Sequence, residues 1–212
     1  MTDLEKTKFA WKNYFSAQHL DTFKSDEDTD GFIGIFEDTL LICFYGTNSQ
    51  QCKDIRNDFY FHKKVVPYNG VNPKIKVHAG FLKSYKSVRD YMHNTINSHP
   101  YKKVTVFGHS LGGAISTLCA VDIQYNFPDK EIECYTWGSL RVGNSAFTKS
   151  YNGRVPNTYR CVCGNDIVTK LPPFWIFFKH VDKLIVVGKK HWWKPISIKD
   201  HAWEWYDAEM KE

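Results

Sequence analysis

The 212-residue sequence has no apolar run approaching the roughly 18 residues that a membrane-spanning helix needs. Its opening, MTDLEKTKFAWKNYF, is charged throughout and lacks the apolar stretch of a signal peptide. The six cysteines (Cys43, Cys52, Cys119, Cys134, Cys161 and Cys163) form no C-x-x-C pair, which removes zinc ribbons and thioredoxin-like redox sites. Four of them, Cys43, Cys134, Cys161 and Cys163, sit in strand-like runs, where a free thiol behaves as a small buried hydrophobe. Free core thiols fit a reducing compartment, so a cytoplasmic location is expected. No G-x-x-x-x-G-K-[ST] phosphate loop, no repeat of 20 to 50 residues and no low-complexity tract occurs. The expectation is one domain spanning residues 1–212.

Aromatic residues are plentiful, at 16% of the chain, and 42% of residues are hydrophobic, which excludes intrinsic disorder. The net charge of +5 is mild. It is unevenly spread: Lys170 to Lys199 holds seven lysines and one acid, Asp182, a local balance of +6. The same stretch carries Phe174, Trp175, Phe177, Phe178, Trp192 and Trp193. Such a mixture suits peripheral contact with an anionic membrane surface, and a solvated lysine face is the plainer reading. Nucleic-acid binding is not expected, since it leaves the motif described below without a purpose.

Phe81, Tyr85, Val88, Met92 and Ile96 recur at helical spacing and stop at Ser98-His99-Pro100. GFIGIF, TLLICFYG, KKVTVFGHS, EIECYTWG, NTYRCVCG and KLIVVG read as strands. The first twenty residues read as a helix on loose spacing of Phe9, Tyr14 and Leu20. Strands alternating with helices predict an α/β chain with a mostly parallel sheet and helices on both faces.

Gly108-His109-Ser110-Leu111-Gly112 matches G-x-S-x-G, with an apolar strand leading in and an amphipathic helix (Ala114, Ile115, Leu118, Cys119) leading out. A serine on a sharp strand-to-helix turn exposes its hydroxyl, and the flanking glycines allow the close packing that the turn needs. The new helix directs free N–H groups at the site, with the Leu111 N–H as the first donor for an oxyanion. A serine hydroxyl needs a base, and the base needs an orienting carboxylate. In this architecture the chain order is serine, acid, histidine. Asp166, where a strand gives way to a loop, fits the acid. Asp122 lies inside the helix after the serine and Asp129 in the turn that ends it. For the base, His201 stands in the expected place before the last helix, while spacing leaves His180 and His191 open.

These residues resemble those of the class 3, fungal-type lipases of the α/β-hydrolase superfamily. Around GHSLGG, FYGTNS is similar to the family's R-G-[ST], VHAGFLKSY to V-H-x-G-F and WGSLRVGN to G-[SQ]-P-R-V-G. YRCVCGNDIVTKLPP resembles D-[IV]-V-P-x-L-P-P, and DHAWEWY resembles the terminal D-H-x-x-Y. The resemblance implies the α/β-hydrolase fold, with Ser110 as nucleophile, Asp166 as orienting acid and His201 as general base. It places Thr47 beside Leu111 in the oxyanion hole and makes His78 structural. PPFWIFF lies where the family lines its acyl groove, which implies substrate contacts from Phe174, Trp175, Phe177 and Phe178. Tyr45, Leu140 and Thr169 stand where the family carries arginine, proline and proline. The polar stretch 48–57 occupies the place of the family's helical lid.

The implied reaction is hydrolysis of acylglycerol-type lipid esters, with no metal, organic cofactor or obligate protein partner. Phospholipase A1-like cleavage and turnover of small soluble esters are the alternatives within ester hydrolysis. Acyl transfer by the same triad is the alternative outside it.

Overall fold

In a computed structural model, residues 1–46, 63–65, 72–181, 183–189 and 197–211 are described. A seven-stranded sheet holds β1 (Gln18–Lys24), β2 (Asp30–Phe36), β3 (Thr39–Phe44), β6 (Lys103–His109), β7 (Glu131–Trp137), β8 (Thr158–Cys163) and β9 (Leu184–Val187), in that spatial order. The edge β1–β2–β3 is antiparallel, and β3 through β9 run parallel. A separate pair, β4 (Lys63–Val65) and β5 (Lys76–His78), is antiparallel.

Strands β3, β6, β7 and β8 are buried on both faces along most of their length, whereas Leu184 and Val186 of the edge strand β9 are exposed. In β3, Leu40, Ile42 and Phe44 face one core, and Leu41 and Cys43 face the other. The first core is closed by α2 (Ala79–Ser98), α3 (Leu111–Asn126) and α4 (Ser145–Arg154), through Phe81, Tyr85, Met92, Leu118, Phe147 and Tyr151. The second is closed by α1 (Asp3–Ser16) and α5 (Trp203–Lys211), through Ala10, Trp11, Tyr206 and Met210. Helix α3 is buried on nearly every side, from Gly112 to Ile123, with Ser116, Thr117 and Asp122 hydrogen-bonded among its apolar and small residues. No helix among the described residues is long and apolar enough to cross a membrane.

Two expectations are corrected. The first helix ends at Ser16, and Gln18–Lys24 is an edge strand in which only Phe23 is buried. Leu20 is exposed, so its helical spacing from Tyr14 carries no packing. Helix α4, unforeseen, needs little apolar surface: Asn144 caps it by accepting the Phe147 N–H, and Phe147 and Tyr151 anchor it four residues apart.

Candidate active site

The register of the parallel strands decides where the chemistry sits. Phe44 pairs with Gly108 and His109 with Trp137, so β3, β6 and β7 end at one level. Ser110 follows immediately, with φ +56°, a conformation rarely adopted by a residue with a β-carbon. Its N–H donates to the Trp137 carbonyl at 2.9 Å, which ties the elbow to the neighbouring strand. A β-carbon on Gly108 would lie 2.3 Å from the Gly112 carbonyl, and one on Gly112 would lie 2.3 Å from the Phe44 carbonyl oxygen. Only glycine permits that approach. Leu111 opens α3, so its N–H belongs to the first turn, where helical N–H groups lack intrahelical acceptors.

The Ser110 hydroxyl meets His201 Nε2 at 2.7 Å, and His201 Nδ1 meets Asp166 Oδ2 at 2.8 Å. A carboxylate only accepts, so Nδ1 carries the proton and Nε2 is left to accept from the serine. All three side chains are buried. Asp166 is further held by the Val168 N–H on Oδ1 at 2.8 Å and by the Tyr206 hydroxyl on Oδ2 at 2.7 Å. Tyr206 also accepts the Cys163 N–H at 3.0 Å. Burial, with the adjacent Asp166 charge, pushes the phenol pKa well up and keeps it a donor.

The loops bearing acid and base are stitched together around Asp200. Its Oδ2 accepts the Asn165 N–H at 2.8 Å, and its Oδ1 accepts the Ser197 hydroxyl at 2.5 Å. Ser197 N–H donates to Asn165 O, and Ile167 N–H donates to Ser197 O. Thr169 donates its hydroxyl to the Asp166 carbonyl at 2.8 Å, holding the acid's backbone where the family motif has a proline. Leu140, at the other proline position, is buried in the core.

His109 stacks on His201 at 4.8 Å, and its Nε2–H donates to the His201 carbonyl at 3.0 Å. Burial, reinforced by His201, lowers its pKa to about 3, so no second positive ring adjoins the base at neutral pH. His180 bonds the Thr169 carbonyl at 2.6 Å instead of the serine, and burial lowers its pKa to about 3. His78 caps α2 by accepting the Phe81 N–H on Nδ1. Asp122 is buried between α2 and α3, bonded to Tyr85, Arg89 and His93.

Other sequence expectations fare differently. Thr47, the stretch 48–57, His191, Trp192 and Trp193 lie outside the described residues. The four aromatics after Asp166 do not share one groove. Phe178 is fully buried and packs against His78, whereas Phe174, Trp175 and Phe177 are 66%, 68% and 74% exposed. The backbone turns within this segment, with a 3₁₀ turn at Phe174–Ile176 and Phe177 left-handed at φ +68°; Phe174 and Trp175 meet edge-to-face at 5.4 Å on the surface, while Phe178 is carried inward. Sequence reasoning missed the support given by Tyr206 and Asp200. The terminal D-H motif contained both residues, but nothing in their spacing said what they touch. Among the described residues, no group of three or more His, Cys, Asp or Glu side chains gathers as a metal site.

Residues 41–175 match the family described as lipase (class 3). The chain belongs to the class 3 lipase family. A Rhizopus niveus lipase is 36% identical over 164 residues, covering 72% of this chain and 40% of that protein. Secreted mono- and diacylglycerol lipase A of Penicillium cyclopium is 31% identical over 161 residues, covering 73% and 50%. The chain thus spans two fifths to one half of the length of these curated relatives. A solved triacylglycerol lipase, whose catalytic centre is described as a serine protease triad, superposes with a TM-score of 0.74 at 28% identity. That superposition covers 87% of this chain and 79% of the other. The fold of this class 3 lipase chain is therefore the α/β-hydrolase fold. The cytoplasmic expectation does not stand, because relatives of this chain are named as secreted. The thiols that suggested a reducing compartment are explained by burial alone: Cys43, Cys119, Cys134, Cys161 and Cys163 are all buried.

Proposed function

We propose that this class 3 lipase chain is a serine hydrolase of acylglycerol-type lipid esters and works outside the cell. The observation that carries the reading is the unbroken relay from Asp166 through His201 to Ser110, at 2.8 and 2.7 Å, on a strained strand-to-helix elbow. The relatives named as lipases and as a mono- and diacylglycerol lipase support the substrate class.

As Ser110 Oγ attacks the ester carbonyl, its proton passes to His201 Nε2, and Asp166 stabilises the imidazolium. The tetrahedral oxyanion takes the Leu111 N–H, with Thr47 as the second donor. The carbon–alkoxy bond breaks, and the alcohol leaves with the proton held by His201. Water then attacks the acyl-enzyme, giving its proton to His201, and the acid departs as Ser110 recovers its hydrogen. Each step uses the chain's own side chains and backbone N–H groups, with water. The exposed Phe174, Trp175 and Phe177, flanked by Lys170 and Lys179, support peripheral contact with an anionic lipid surface.

The test is hydrolysis of p-nitrophenyl esters from C2 to C16, and of glyceride emulsions, by wild type and Ser110→Ala. A loss of about 10⁴- to 10⁶-fold in kcat is expected. Equal turnover by the two proteins would sink the proposal.

A further inference from the structure

The imidazole of His201 is bonded at both nitrogens, Nδ1 to Asp166 at 2.8 Å and Nε2 to Ser110 at 2.7 Å. Bonds in the plane of a ring do not stop it swinging about the line that joins the two nitrogens, and they do not fix the backbone that carries it. That backbone belongs to a short 3₁₀ turn, Lys199–His201, and the base lies 91 positions from the serine. His201 also borders a cavity of about 550 Å³, so it is not packed on every side.

His109 supplies a restraint of each kind. Its ring lies against the face of His201, with centroids 4.8 Å apart and planes 26° apart. Its Nε2–H donates to the His201 backbone carbonyl at 3.0 Å. His109 is itself well fixed. It is the last residue of β6, in register with Trp137, and its ring meets Trp203 at 5.4 Å and Tyr206 at 5.5 Å, both edge-to-face. The end of β3 also makes room for it: a β-carbon on Gly46 would lie 3.3 Å from His109 Nδ1 and 3.0 Å from the His109 carbonyl oxygen. One residue is thus joined to the nucleophile by a peptide bond and to the base by a hydrogen bond and a ring face.

We propose that His109 is a positioning residue for the base, fixing the backbone and the ring plane of His201 relative to the serine elbow. The role rests on the ester-hydrolase reading of the triad. Burial keeps the His109 ring neutral, with its pKa lowered to about 3. When Ser110 gives up its proton, His201 becomes an imidazolium, and a neutral aromatic face within about 6 Å attracts that cation. The contact strengthens as the transition state forms, so His109 acts on kcat and not on KM.

The two contacts can be removed separately. His109→Gln keeps an N–H near the Nε2 position and removes the ring face; His109→Phe keeps a face and removes the donor; His109→Ala removes both. With p-nitrophenyl butyrate, a soluble ester, His109→Gln and His109→Phe should each lower kcat about tenfold and His109→Ala about 10²-fold, all with KM within about twofold of wild type. A kcat within about threefold of wild type in folded His109→Ala, or a loss confined to KM, overturns the role. So does equal loss in all three variants, which would trace the effect to disturbed packing and not to the two contacts. His109→Gln and His109→Phe keep most of the side-chain volume, so they decide the matter even where His109→Ala does not fold: wild-type kcat in both overturns the role. Ser110→Ala separates this outcome from failure of the hydrolase reading. Turnover that survives Ser110→Ala overturns both, whereas Ser110-dependent turnover untouched by the His109 variants overturns the positioning role alone.

Discussion

Two buried carboxylates in this molecule have nearly the same partners and opposite consequences. Asp166 accepts from Tyr206 at 2.7 Å and meets His201 at 2.8 Å; Asp122 accepts from Tyr85 at 2.6 Å and meets His93 at 2.7 Å. The difference lies in the other neighbours. Arg89 bonds Asp122 through Nε at 2.9 Å and Nη2 at 3.2 Å, so a permanent cation already answers the charge. The other donors to Asp166 are neutral, the Val168 N–H and the Tyr206 hydroxyl, which leaves its charge for an imidazolium forming on His201. The far sides of the rings differ too: His201 meets the Ser110 hydroxyl, whereas His93 lies edge-on to Phe127 at 5.2 Å. A buried Asp–His–Tyr group is therefore not in itself a catalytic device. The uncompensated charge and the serine beyond the ring are what suit Asp166 and His201 to the proposed role.

Substitution at the two carboxylates tests that contrast most severely. Asp166→Asn should lower kcat by about 10⁴-fold with little loss of folded protein, because the amide forces the wrong histidine tautomer. Steady-state kinetics on a soluble ester reads this directly. Asp122→Ala should do the reverse. It strands Arg89, Tyr85 and His93 and should cost about 3 kcal/mol of stability in urea unfolding, with unchanged kcat per folded molecule. An Asp122→Ala protein of full stability and lost activity would dissolve the distinction.

The paired tyrosines give a smaller effect. Tyr206→Phe and Tyr85→Phe should each cost about 1 kcal/mol in denaturant titration. Only Tyr206→Phe should also lower kcat, by less than about tenfold, since Tyr206 holds the orienting acid without touching substrate.

The smallest and most distributed effect concerns pH. Burial lowers the pKa of His78 to about 4 and of His109 and His180 to about 3, below the ordinary value of 6.5. The unfolded chain takes up protons on these rings as pH falls below about 6.5, and the folded chain refuses them until pH 3 to 4. Their contribution is thus fully present above pH 6.5 and fades as pH falls towards 3. Urea midpoints measured from pH 7.5 to 4.5 should decline, and the decline should shrink in His180→Gln.

The serine elbow was legible because its requirements are local. Strand, Gly108, Ser110, Gly112 and helix follow one another within about twenty residues, and each constrains the next. Asp166 and His201 were legible in a weaker sense, through chain order and motif. The Asp200 stitching was not: it joins backbone at 165–167 to the Ser197 backbone and the Asp200 carboxylate, and no periodicity records a contact of that kind. The disposition of the aromatic run after Asp166 was not legible for the same reason. Composition showed four large rings, but the turn at Phe174–Ile176 and the left-handed Phe177 bury Phe178 and leave the other three outside.

Within the chain's own order of residues lie the α/β class, the elbow and the identity of three chemically able side chains. Hydrophobic periodicity and backbone sterics act over a few residues and can be read without coordinates. Which histidine reaches the serine, how Tyr206 and Asp200 brace the acid, and which apolar side chains border a cavity follow from strand register and from loops that meet in space. Those contacts span long stretches of chain, 91 positions in the case of Ser110 and His201. They exist only once burial of the two cores has brought the strand ends to one level.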